Sequence, residues 1–209
     1  MRVTVTRDVY IYDELEPAAQ EVALDKLRQA AYECLDNDMI DEEVNGRFVE
    51  LATGTYDGVH SRREVADRFG VRFEWRVGGG QGDGAAIGGA LRKDSAPNLA
   101  WPDGVEGVIT KISTYGWTQI DCIIVHDEAG DEFHKYNIDR STIEDIDELL
   151  QDLCRKLYRT ASAAIDMFTS EDYVLDAYRT HYGLQRRFSA DGREAPSQFW
   201  TDDDTEAGQ

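Results

Sequence analysis

Apolar and polar residues alternate near the start of the chain, with Val3, Val5, Val9 and Ile11 set apart by polar neighbours. A period of two predicts a strand over 2–12. Glu16-Pro17 then opens a helix, because proline at the first helical position loses no hydrogen bond that the helix would have made. Ala18, Val22, Leu27, Ala30, Ala31 and Cys34 recur every three to four residues and carry that helix through Leu35. A second helix follows over 36–52, with Met39, Ile40, Val44, Phe48 and Leu51 as its buried stripe. Residues 53–68 lack a clear period and read as a loop with a short helix.

The pattern changes at Gly70. Val71, Phe73, Trp75 and Val77 alternate as in a half-buried strand, and a glycine-rich turn, GGGQGDG, separates them from a returning strand over 85–91. Residues 93–104, with Pro97 and Pro102, read as a surface loop. Further strands are predicted at 105–115, 117–126 and 133–138. The last third is helical. Ser141 and Glu144 have the spacing of a capping box. Ile143, Ile146, Leu149, Leu150, Leu153, Leu157, Ala161, Ala164, Ile165 and Phe168 then mark one face of a long helix. Ser170 caps a shorter helix over 171–182, and Asp191-Gly192 centres a hairpin-like turn.

Together these elements predict an α+β fold: an N-terminal helical pair, a central antiparallel sheet with a Gly-rich turn, and a long C-terminal helix plus a shorter one. We expect a single domain over 1–200, with a candidate sub-boundary near 93–104, and a disordered acidic tail at 201–209. Three widely spaced cysteines give no disulfide framework, and no stretch has the apolar length of a signal or a membrane span. The expected location is the cytoplasm.

Charge sharpens this picture. Forty-two acidic residues against 22 basic ones leave a formal charge of -20. A surface of that sign repels polynucleotides and anionic membranes and favours basic protein partners, although solvation alone also accounts for acidic surfaces. Acids crowd the start of the second helix, and Asp36, Asp38, Asp41, Glu42 and Glu43 are the candidate contact residues there. The helix dipole favours acids in that position without any functional role.

Candidate chemistry is sparse. Gly80-x-Gly82-x-x-Ala85 matches a dinucleotide fingerprint only loosely, and the glycines of AAIGGAL oppose the helix that such a site requires. No Walker-type lysine is present. Gln81, Gly82, Asp83 and Gly84 are the residues of this turn that a ligand or partner would meet. Cys122 and His126 share one face of a predicted strand, so a nucleophile pair is conceivable, but no orienting third group can be named. A core cysteine beside a strand-end histidine is the simpler reading. The acidic run DNDMIDEE lacks the spacing of a calcium loop. We expect no metal, no cofactor and no catalytic residue.

YDELEPAAQEVALDKLR, QGDGA (81–85), YGWTQIDCIIV and LYRTASAAIDMFTSEDYVLDAYRTHYGLQRRFSADGRE occur in the same order as motifs of a phage and prophage protein family. The chain resembles that family from about Tyr12 to Arg193. It departs from it at Val77-Gly78-Gly79-Gly80, where family members place aromatic and serine residues. Some members are labelled antitoxins of a toxin–antitoxin stability system. The resemblance implies a mobile-element origin and an accessory role. With the charge, it leads us to expect a non-enzymatic inhibitor of a basic host protein or complex, of anti-CRISPR or DNA-mimic type. Two alternatives stay open: an antitoxin masking a cognate toxin, and a small-ligand-binding protein or enzyme using the Gly-rich turn.

Overall fold

The computed structural model describes residues 8–35, 37–56, 58, 60–77, 83–114, 116–126, 132–135, 138–182 and 187–195, with backbone alone at 132–135 and 181–182. The chain is α+β and divides into two compact units, one formed by 1–35 with 165–209 and the other by 36–164. One division follows a helix that ends at Cys34, and the other falls within the last turn of a helix that runs from Arg140 to Phe168. The 93–104 loop lies inside the second unit, and the expected tail at 201–209 lies outside the described residues. Among the described residues no helix is long and apolar enough to cross a membrane.

The first unit is built on α1 (Pro17–Cys34) and α5 (Glu171–Ala177), the latter continuing as a π-helical turn, Tyr178–Tyr182. Leu24, Leu27, Val174, Leu175, Tyr178 and Phe188 are among the residues of its core. The strand expected over 2–12 is not continuous where it is described. Tyr10 forms a lone bridge with Phe188, and a 3-10 turn, Tyr12–Glu14, begins two residues later. Tyr12 causes the change: its ring turns into the core against Tyr178, whose hydroxyl accepts from the Tyr12 N–H at 3.3 Å. The Ser170 cap is present and accepts from the Tyr173 N–H at 3.3 Å. Gly192 (φ 80°) closes a tight turn in which its N–H reaches the Ser189 carbonyl. A Cβ there would come within 2.1 Å of the Ala19 carbonyl oxygen, so only glycine fits.

The second unit holds a five-stranded antiparallel meander of β1 (Val71–Arg76), β2 (Gly84–Arg92), β3 (Val105–Ile112), β4 (Thr118–His126) and β5 (Glu132–Lys135), in sequence order. Pairing Phe73 with Ile87, and Leu91 with Val108, puts the large apolar side chains on one face. Helices α2 (Asn37–Thr53) and α3 (Arg62–Phe69) pack by way of Phe48, which meets Phe69 edge-on at 5.0 Å and Phe73 at 4.7 Å. Such ring pairs each add about 0.5–1.5 kcal/mol beyond their burial. α4 (Arg140–Phe168) meets β4 where Cys154 Sγ lies 3.6 Å from Thr118 Oγ1, and burial raises the pKa of that thiol.

Several expectations are corrected at the helices. Met39 and Ile143 are exposed, and Leu51 and Leu149 are only half-buried. The stripe of α2 instead includes Asp41, Asn45 and Val49. α4 is capped by Asp139, not by Ser141. The Asp139 carboxylate accepts from the Thr142 N–H at 2.9 Å and from the hydroxyls of Ser141 and Thr142. Glu144 pairs with Arg140 at 2.7 Å instead of reaching back to a capping residue. A carboxylate two residues upstream offers the helix end a charged acceptor, which a serine hydroxyl cannot match.

Candidate functional site

Asp41 and Asn45 stand four residues apart on α2 and therefore face the same way, toward α3 and β1. Both are buried, Asp41 at 6% exposure and Asn45 at 3%. A capping box at Ser61 and Glu64 starts α3 and sets Arg62 in its first turn. Period-two alternation on β1 then turns Trp75 toward α2, where its indole N–H donates to Asp41 Oδ1 at 2.8 Å. Asn45 Nδ2 donates to the His60 carbonyl at 3.0 Å. One buried carboxylate and one buried amide thus tie a helix, a loop and a strand together.

The second carboxylate oxygen is held differently. Arg62 Nε holds Asp41 Oδ2 in a close ion pair, so both carboxylate oxygens have a donor. The arginine side chain remains 63% exposed against 8% for the aspartate. The hydrogen bond to Asp41 raises the Arg62 pKa; partial burial opposes this, and the charges of Asp41, Asp38 and Glu74 add to it. Beside the pair lies a cavity of about 280 Å³ whose lining includes Asp41, Asn45, Arg62, Arg72, Phe73 and Glu74.

Of the acidic candidates, Asp38, Glu42 and Glu43 are exposed, and Asp36 lies outside the described residues. Asp41 is corrected: it is no surface contact but the buried centre of this cluster. Its position in the apolar spacing of Ile40, Val44 and Phe48 was the available signal. The partners Asn45, Arg62 and Trp75 escape a sequence reading, because only the fold brings positions 41, 62 and 75 together.

Of the Gly-rich candidates, Gln81 and Gly82 lie outside the described residues, as do 78–80. Asp83 is half-buried, and Gly84 opens β2 opposite Arg76. Trp75 stands opposite Ala85, so the indole bonded to Asp41 is the cross-strand neighbour of the last residue of QGDGA. The structure therefore links one acidic candidate to the end of the Gly-rich motif.

Cys122 is buried in β4 and burial raises its thiol pKa, whereas His126 is half-exposed with Nε2 3.9 Å from Glu106 Oε2. Four residues along a strand span about 13 Å, so the two form no nucleophile pair. A second, more open groove of about 510 Å³ runs past Gly70, Arg72, Gly88, Thr110 and Lys111. Its lysine is paired with Asp121 at 2.7 Å. Among the described residues no group of three or more His, Cys, Asp or Glu side chains is placed to hold a metal ion.

The outer face of α4 carries the other notable cluster. Glu144, Asp145, Asp147 and Glu148 are exposed, and Asp152 is half-exposed. With a rise of 1.5 Å per residue, these five carboxylates occupy about 12 Å of helix. Arg140 pairs with Glu144, and Lys156 and Arg155 with Asp152. Asp145, Asp147 and Glu148 have no ion pair among the described residues, although Asp147 accepts from Gln151 at 2.7 Å.

The fold and these two clusters define an acidic α+β protein with exposed carboxylates on α4, three of them without an ion pair among the described residues, and an Asp–Trp–Arg tie centred on the buried Asp41. No family model matches the chain, and neither the curated proteins nor the solved structures include a match.

Proposed function

We propose that this chain is a non-catalytic accessory protein, of the phage type its motifs resemble, that binds and blocks a basic host protein which handles nucleic acid. The carboxylate run on α4 is the observation that carries the reading. Five acids in about 12 Å is one per 2–3 Å of axis before the ion pairs of Glu144 and Asp152 are counted, against one charge per about 1.7 Å of a duplex. Three of them carry no ion pair among the described residues, so their charge is available to a partner. A groove built to receive phosphates would meet a similar density of charge here, and opposite potentials speed the encounter and fix the register. The overall charge of -20 supports this by disfavouring direct contact with DNA, RNA or an anionic membrane.

The test is affinity capture from host lysate with the wild type and an Asp145→Asn, Asp147→Asn, Glu148→Gln variant in parallel. The wild type is expected to retain a basic nucleic-acid-binding protein at moderate salt, and duplex DNA is expected to release it. The variant is expected to lose most of that retention. Equal capture by both proteins, or the absence of a basic partner, overturns the reading.

A further inference from the structure

β1 is an outer strand of the sheet and pairs only with β2 among the described residues. The direction of its backbone groups follows from its neighbour. The Ile87 N–H donates to Thr118 Oγ1 at 2.9 Å and the Ile87 carbonyl accepts from Thr110 Oγ1 at 3.1 Å, so both point away from β1. Phe73 stands opposite Ile87, and antiparallel ladders alternate. The backbone groups of Phe73 and Trp75 therefore point away from β2, toward the open edge. An edge of this kind is a template for a further strand, and β1 has neither a proline nor a break in its register with β2 to blunt it. Access grows along the strand: Val71 is 2% exposed and Phe73 9%, whereas Trp75 and Val77 are half-buried.

Side chains on the other face of β1 decide which strand fits. Arg72, Glu74 and Arg76 are exposed there, opposite Gly88, Ala86 and Gly84, and neither arginine has an ion pair among the described residues. Residues 61–77 hold five arginines and three acids, in a chain whose formal charge is -20. An acidic molecule repels its own copy over most of its surface, and this segment relieves that repulsion.

We propose that two copies of this chain associate through their β1 edges, antiparallel about a two-fold axis at Trp75. Keeping matched faces together restricts the register to steps of two residues. Centring on Phe73 would need the covered edge at Val71, centring on Glu74 would set acid against acid, and centring on Val77 runs past the end of β1. Centring on Trp75 sets Phe73 opposite Val77 of the second copy and Glu74 opposite Arg76 of the second copy, and symmetry repeats both. Phe73, Trp75 and Val77 then exchange backbone hydrogen bonds across the axis, while two opposite-charge pairs form on the solvent side. A contact this short lies at the small end of protein interfaces, so the dimer forms at high concentration. The inference rests on β1 and holds whether or not the α4 surface binds a partner.

Sedimentation equilibrium of the full-length protein, from micromolar to near-millimolar concentration, reads the association, and amide hydrogen exchange locates it. Wild type is expected to dimerise, with exchange at the Phe73 and Trp75 amides slowing as concentration rises. Glu74→Arg sets arginine against arginine and Arg76→Glu sets acid against acid, so each is expected to weaken association about tenfold or more. Both positions are exposed, and Arg76→Glu leaves untouched the charge that Glu74 exerts on Arg62. Mixing the two variants restores both opposite-charge pairs across the axis, and the mixture is expected to associate as tightly as wild type. The proposal is overturned if wild type stays monomeric throughout, if neither swap weakens the dimer, if the mixture fails to regain association, or if the added protection lies away from β1.

Discussion

Asp41 and Asp139 show how differently two aspartates can be used in a chain crowded with acids. Asp41 is enclosed and holds α2 to β1 through the Trp75 indole. Replacing it with alanine leaves that N–H without its acceptor, and we predict a loss of about 1–3 kcal/mol in chemical denaturation. Asparagine keeps an acceptor oxygen and should lose less. Asp139 is fully exposed and acts as the cap of α4. Hydrogen bonds from the Thr142 N–H and from the Ser141 and Thr142 hydroxyls lower its pKa from 3.8 to about 2. Because the folded value lies below the unfolded one, the contribution of Asp139 is complete above pH 4 and is lost as pH falls toward 2. We therefore predict that Asp139→Ala lowers the melting temperature at pH 6, and that its gap from wild type narrows as the medium approaches pH 2. A gap that stays constant with pH contradicts the capping role.

At the scale of elements, the α3–β1 junction turns on Gly70. It ends α3 in the left-handed region (φ 70°), and its carbonyl accepts from the Ala90 N–H at 2.9 Å. An added Cβ would come within 2.8 Å of the Ala90 carbonyl oxygen. Gly70→Ala is predicted to cost about 1–2 kcal/mol from backbone conformation alone, with the close approach adding to it. Unfolding midpoints of the two proteins measure the difference. The sheet was legible from the chain because Val71, Phe73 and Ile87 obey a period of two that a single buried face enforces. The second unit's helices were legible for the same reason, through Val44, Phe48, Ile146 and Leu150. Their ends were less so. Ser141 has the spacing of a cap, but Asp139 lies nearby with the stronger acceptor, and spacing alone cannot rank two acceptors. At the N-terminal end, alternation pointed to a strand through Tyr12, whereas the ring of Tyr12 is drawn into a core completed by Tyr178 and Phe188, more than 160 positions away. The acidic candidates were legible as a group; that Asp41 alone among those described turns inward depends on Arg62 and Trp75, which no local pattern connects to it.

For the whole molecule, the proposed function rests on the excess of acid, since a field of that sign is expected to repel polynucleotides and favour cationic grooves. The proposed role requires this field to end in a surface that can take the place of nucleic acid, and α4 offers the densest described run of exposed carboxylates without ion pairs. Competition measures this most directly. Fluorescence anisotropy of a labelled duplex bound to the captured basic partner is followed as the acidic protein is added at physiological ionic strength. Wild type is predicted to release the duplex stoichiometrically without binding it, and the Asp145→Asn, Asp147→Asn, Glu148→Gln variant to release far less. A duplex that stays bound, or one that the acidic protein itself takes up, would contradict the account.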